Sequence, residues 1–440
     1  MKKLTLLLTL LAPLAFQAQL TAVSDMNEVR AGHAAATIDG ADVLVTGGFG
    51  DGAYLNSAEY FEFESETWVE VDPMSTVRYG HTANGIGNNK VLVCGGWDGE
   101  LTNHLTTEIY DHTFETWEDG PDMAVGRSNH QSVLLLDYRI LISGGFDGTN
   151  DLANCEIYDP VSNTFTVVGD MQMARSSHTL TLLPDGKVLA TGGFNPNFGF
   201  QLNTCEIFDP ATNLWTTVSP MTYGRDNHAA VLMPDGQILV AGGRYFNGDL
   251  NLFEGQLECE YYNTTNDTWS SAGQMTEGQS YVKLFNVNGT IFMPGGVDQT
   301  GNGVTTTYSS GATFNNGTEE WTILTDTDAG GRYRYAATHI TEGTVLVCGG
   351  EDAGAYLFSI ITNTNDMDDI EVEVYPNPAS EELIIRGVRV DRWVLVNTLG
   401  MEVATGEGSD VHLPNGLTTG NYILHVASGD AWFCTHVALK

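Results

Sequence analysis

Short aliphatic runs recur along this chain, and each ends at a pair of glycines. Val43-Leu44-Val45 leads into Gly47, Val91-Leu92-Val93 leads into Gly95, and similar runs precede Gly144, Gly192, Gly242, Gly295 and Gly349. A few apolar residues in a row, stopped by glycine, fit a strand buried on both faces that ends in a tight turn. A polar loop and another short strand follow, as in Glu156-Ile157-Tyr158. The next strand carries an aromatic residue: Trp68, Trp117, Phe165, Trp215, Trp269 or Trp321. Ahead of five glycine pairs stands Arg-x-x-His, at Arg30/His33, Arg78/His81, Arg127/His130, Arg175/His178 and Arg225/His228, on the approach to one more strand.

The pattern predicts four short antiparallel strands per unit, with a period of about 50 residues and seven copies. Such a unit buries its faces only against its neighbours, so the array must close into a ring of blades, a β-propeller. Counting strands shows how it closes. Seven Gly-Gly strands are matched by six aromatic fourth strands, because nothing after Tyr356-Leu357-Phe358 supplies the last one. Counting back from Arg30 puts Leu20 where the fourth-strand aromatic belongs and Met26 where Met74 and Met123 stand in other units. The segment 20–24 is therefore expected to complete blade 7 beside residues 355–361, leaving no open sheet edge. Two units depart from the pattern: Gln279-Ser280-Tyr281 replaces the Arg-x-x-His region in blade 6, and Tyr335 takes the His place after Arg332 in blade 7.

Composition narrows the function classes. With 50 glycines against 13 prolines and 42% apolar residues, the chain has the material for a large, turn-rich globular core. Its net charge of −38 would repel phosphate backbones and anionic membranes, which argues against nucleic-acid binding. The same charge admits calcium as a cofactor, although an acidic surface also simply keeps an exported protein soluble. Residues 1–18 read as a signal peptide: Lys2 and Lys3, an apolar run from Leu4 to Phe16, and small residues ending at Ala18. No later stretch is apolar enough for a transmembrane helix. Cys155, Cys205 and Cys259 share one position in successive repeats, and Cys94 and Cys348 share another. Same-position cysteines in neighbouring blades lie too far apart to bridge, so they are expected to be buried fillers.

The glycine pair, the downstream Tyr or Phe, the Trp and the spacing resemble kelch repeats, seven times over. The resemblance implies an all-β fold, a seven-bladed kelch-type β-propeller over residues 19–362. A polar, acidic stretch at 363–371 reads as a linker. Residues 372–440 carry short strands suited to a small C-terminal β-sandwich. That module resembles the type A sorting domain of the type IX secretion route in Bacteroidetes, on Tyr375-Pro376-Asn377-Pro378, the turn at Gly400, the stretch through Gly420 and Tyr422, and the terminal Lys440. The resemblance implies export across the outer membrane, with the type IX machinery as partner and a secreted or cell-surface product, expected to be a monomer.

Strand alternation places the loop after each glycine pair on the same face as the turn into the first strand. That face collects Phe49, Trp97, Phe146, Phe194 and Arg244 from the first set, with Asp51, Asp98, Asp147 and Asp298 nearby. Tyr79, Asn129, Asp226 and Arg334 come from the second. Aromatic rings among Asp, Asn and Arg can stack on sugars and bond their hydroxyls, so these nine residues are the candidate ligand site for a glycan or protein partner. The alternative is that the rings only plug the loops. The repeated histidines are spread around a ring, whereas a metal needs convergent ligands, so they are expected to be structural. Asp147–Asp151 and Asp326–Gly330 hint at calcium, but neither completes a calcium-binding loop. The expected activity is binding. Carbohydrate-active catalysis of the oxidase, epimerase or mutarotase kind, known on kelch propellers, is one alternative, and a structural or adhesive role is another; no catalytic motif identifies a catalytic residue.

Overall fold

The computed structural model describes residues 16–39, 41–100, 103–249, 251–300, 304–308, 311–324, 332–341, 343–350, 352–362, 373–375, 382–386, 390, 392–397, 402–406, 408–412, 420–428 and 431–439. Seven antiparallel sheets follow one another, each built on four strands, and the fifth carries Leu252–Gly255 as an extra one. Blade 1 is typical: Ala34–Thr37, Val43–Thr46, Ala58–Glu62 and Thr67–Val71 pair in sequence order. Its second strand is buried at every residue, as the unbroken aliphatic run requires. First strands of neighbouring blades touch one another and surround the axis. Each fourth-strand aromatic packs on a third-strand ring of its own blade, with centroids at 5.2 Å for Phe61–Trp68 and 5.1 Å for Tyr110–Trp117.

The ring closes with a strand from the N-terminal end. Blade 7 consists of Ala336–Thr341, Thr344–Cys348 and Ala355–Thr362, with Phe16–Ala22 as its outer strand. Leu20 packs against the Phe358 cluster, and Met26 is buried. The strand starts earlier than the expected 20–24, because its eight-residue partner offers pairing that far. Residues beyond Ala22 continue along the same edge, with Val23 N donating to Ala355 O at 3.1 Å and Met26 N to Ala353 O at 2.8 Å.

One device holds neighbouring blades together, and it explains both the glycine pair and the Arg-x-x-His. The Arg78 carbonyl accepts from Gly48 N of the preceding blade at 2.8 Å, while its guanidinium donates to Gly95 O of its own blade at 2.7 Å. A Cβ on Gly47 would lie 2.4 Å from that Arg78 carbonyl, at φ +58°, so only glycine fits there. The arginine then pairs with a glutamate in the third strand. These buried pairs are Arg30–Glu59 at 3.0 Å, Arg78–Glu108 at 2.9 Å, Arg127–Glu156 at 2.8 Å, Arg175–Glu206 at 2.8 Å and Arg225–Glu260 at 3.1 Å. Blade 6 has Gln279 and Ala312 in the two places, so both charges are missing together. In blade 7 the Glu place is taken by Tyr356, whose ring lies 4.6 Å from the Arg332 guanidinium.

The histidines join blades as well. Nε2 of His81, His178 and His228 meets a hydroxyl of the preceding blade, on Thr46, Ser143 and Thr191, at 2.8, 2.9 and 2.9 Å. His130 Nε2 meets Thr82 at 2.9 Å, since Cys94 occupies the equivalent place in blade 2. Burial, followed by the adjacent arginine, holds His130, His178 and His228 well below the ordinary imidazole value, and His81 is lowered to about 3. The five described cysteines are buried and free, as expected of fillers; burial pushes Cys94, Cys155, Cys205 and Cys348 up to about 12.

The propeller residues Ala18–Ile360 form one compact unit, and the residues from Ile361 belong to another. The second unit carries two antiparallel sheets. One contains Glu373–Tyr375, Glu382–Arg386 and Asp410–His412; the other contains Arg392–Asn397, Glu402–Gly406, Gly420–Ser428 and Ala431–Leu439. Trp393, Leu395, Tyr422, Leu424 and Val437 are buried there. Tyr375 ends the first strand and Gly420 opens another. Pro376, Asn377, Pro378, Gly400 and Lys440 lie outside the described residues, as do residues 1–15 of the expected signal peptide.

Candidate functional site

The turn into the first strand and the residue after the glycine pair face one another in six blades. Backbone bridges link Ala31 to Phe49, Tyr79 to Trp97, Ser128 to Phe146, Ser176 to Phe194 and Ser280 to Val297, and Asp226 pairs with Arg244 in register. Both sets of candidate residues thus share one face.

At the axis this face is bounded by a ring of backbone hydrogen bonds running from blade to blade. Gly80 N donates to Gly32 O, Asn129 N to Gly80 O, Ser177 N to Asn129 O, Asn227 N to Ser177 O, Tyr281 N to Asn227 O, and Gly32 N to Arg334 O, at 2.7–3.0 Å. All seven residues of the ring have positive φ, from 50° to 65°. Glycine and asparagine adopt that conformation easily, but Tyr281 at φ 57° and Arg334 at φ 54° hold it at a steric cost. Strain of this kind, concentrated at the mouth of a channel, is a mark of functional positions.

The two strained side chains form the hub of an aromatic cluster. The Arg334 guanidinium lies 5.2 Å from the Tyr79 ring, 4.8 Å from Tyr281 and 5.4 Å from Tyr333. It donates to the Tyr79 hydroxyl and, at 3.3 Å, to that of Tyr281. Tyr79 continues through Tyr54 to Phe49 and Trp97, with centroids 5.0–5.7 Å apart. On the other side Arg244 lies 6.0 Å from Tyr281 and 4.7 Å from Phe253. Phe253, Phe246, Phe200 and Phe194 then carry the rings into blade 4. Burial opposes the charge on Arg334, but the surrounding Tyr281, Tyr79 and Tyr333 outweigh it and keep the guanidinium a cation. Burial pushes the Tyr333 phenol up to about 12. A flat or hydroxylated ligand can therefore meet aromatic faces and a fixed cation together.

Seven of the nine expected residues fall on this cluster: Phe49, Tyr79, Trp97, Phe194, Asp226, Arg244 and Arg334. Asp226 is wholly buried and ion-paired to Arg244 at 2.8 Å, so it positions that cation instead of facing a ligand. Asn129 sits in the backbone ring. Phe146 bridges Ser128 and Asp151 and makes no ring contact with the cluster among the described residues. Tyr54, Phe200, Phe246, Phe253, Tyr281 and Tyr333 were not anticipated. Tyr281 and Tyr333 fall in the two departing blades, which was the available signal; the others lie in loops that do not repeat.

Neither calcium hint gains a ligand set. Asp147 Oδ1 accepts from Thr149 N and Asn150 N at 2.7 Å, which makes that loop an ordinary aspartate turn. Asp326–Gly330 lies outside the described residues. Among the described residues no three His, Cys, Asp or Glu side chains converge as a metal site requires.

Comparison with known proteins places this fold. No curated protein matches the chain. Among solved structures, one titled "Structure of YjhT" aligns with TM-score 0.53 and 14% identity, over 69% of this chain and 99% of that one. A second, titled as a novel fungal alcohol oxidase of the AA5 family in complex with copper, aligns with TM-score 0.68 and 13% identity, over 97% and 99%. At such identity the likeness is one of fold alone. The family model described as the KLHDC2/KLHL20/DRC7 Kelch-repeats domain matches residues 16–193 and 80–296, and the chain belongs to that kelch-repeat family.

Proposed function

We propose that this protein is a secreted or surface-exposed binding protein whose loop face captures an extracellular glycan or protein through the Arg334 cluster. The observation that carries the reading is Arg334 itself: held at positive φ, ringed by three tyrosines, with Nε buried and unpartnered. A purely structural plug has no need of a strained cation at the channel mouth. Export by the type IX route is part of the proposal and rests on the resemblance of the C-terminal module.

The test is binding of the purified chain, from Gln19 onward, to a broad glycan panel, with calcium and again with chelator. Saturable binding that Trp97→Ala and Arg334→Ala both abolish supports a glycan site, and chelator sensitivity would add a metal. Absence of binding in both conditions rules out the glycan half and directs the search to surface proteins.

A further inference from the structure

Beneath the backbone ring an axial cavity of about 380 Å³ is lined by residues of all seven blades. Its walls are neutral: His33, His81, His178 and His228, with Thr179 and Gln131 among them, and no carboxylate. One side chain breaks the pattern. Lys283 follows Val282, where the other blades follow their His or Tyr with Ala34, Thr82, Gln131, Thr179, Ala229 and Ala336. Lys283 is exposed to water and lines this cavity. Burial lowers its affinity for a proton. Among the described residues neither Lys283 nor Arg334, which lines the same cavity, is ion-paired to an acid.

Two cations that face one cavity whose lining holds no carboxylate, with no counter-charge among the described residues and in a chain of net charge −38, are an arrangement that an anion would complete. The histidines cannot take that part, since an imidazole is neutral or positive. We infer that the axial cavity is an anion site, in which Lys283 and Arg334 hold the carboxylate or phosphate group of a small polar molecule. Arg334 provides a flat fork at the mouth and Lys283 a point charge within. The cavity volume is in the range of small-molecule sites and leaves room for more than the anionic group alone. Arg334 belongs to both this cavity and the loop-face cluster, whereas Lys283 belongs to the cavity alone, so the Lys283 variants read this site, and Lys187, a surface lysine outside its lining, serves as the control.

The experiment is calorimetric titration of the intact chain with inorganic phosphate and with citrate, comparing wild type, Lys283→Met, Lys283→Arg and Lys187→Met. The expected result is saturable binding that weakens at least tenfold in Lys283→Met, survives in Lys283→Arg and is unchanged in Lys187→Met. Lys283→Met removes an uncompensated charge, so in anion-free buffer it should melt no lower than wild type. Crystals of wild type soaked in bromide give a second readout, an anomalous peak beside Lys283. No saturable binding, equal affinity in Lys283→Met, or no bromide in the channel would each overturn the inference.

Discussion

Acid should destabilise this propeller well before its carboxylates titrate, because its blades are joined through neutral histidines. His33, His81, His130, His178 and His228 are buried, and each has its proton affinity lowered, first by burial and next by the neighbouring arginine. In the unfolded chain these groups return to about 6.5. Below that value the unfolded state binds protons that the folded state refuses, so the stability they confer is intact above pH 6.5 and is lost as pH falls. For His81, with a folded value of about 3, the loss at pH 5 is about 2 kcal/mol. The other four histidines are lowered in the same direction and add to this loss. Relief of acidic self-repulsion cannot offset this above pH 5, because Asp and Glu are still ionised there. Urea unfolding followed by tryptophan fluorescence at pH 7.5, 6.5, 5.5 and 5.0 reads the effect, and His81→Gln should reduce the slope by about one proton. A stability that stays flat between pH 7.5 and 5 would refute the reasoning.

Two further outcomes follow from the packing. Glu156→Gln leaves Arg127 buried without its counter-charge and should cost about 3–5 kcal/mol; replacing both residues with apolar ones should cost much less than the sum of the single changes, as thermal unfolding of the set would show. Tyr281→Gly releases a strained φ of 57° and should raise the melting temperature or leave it unchanged, while weakening loop-face binding through loss of a ring beside Arg334.

Ring closure was legible in the sequence because every blade needs four strands and a missing one must come from somewhere. The strand ending at Ala22 is that fourth strand. The Arg-x-x-His was visible as a repeat, but its purpose was not. Glu59, Glu108 and their equivalents stand about 30 residues downstream, and only the blade register brings them to the arginines. Gly32, Gly80, Asn129 and Asn227 take the left-handed turn at the channel mouth easily, and that turn was not anticipated from the sequence. That Tyr281 and Arg334 endure the same conformation depends on the hydrogen-bonded ring around them, which no local pattern records. Tyr54 and Phe253 escaped notice because their loops differ in length from blade to blade. Lys283 stands out only when the blades are aligned residue by residue beneath their histidines.

The central claim is that Arg334 and its tyrosines form the working surface of the propeller. The most direct measurement is the affinity of the chain for a glycan or surface protein that it retains, compared between wild type, Arg334→Ala and His81→Gln at pH 7.5. The account predicts a loss of at least tenfold for Arg334→Ala and unchanged affinity for His81→Gln, whose ring joins two blades beneath the loop face. Equal affinity of Arg334→Ala and wild type would contradict it.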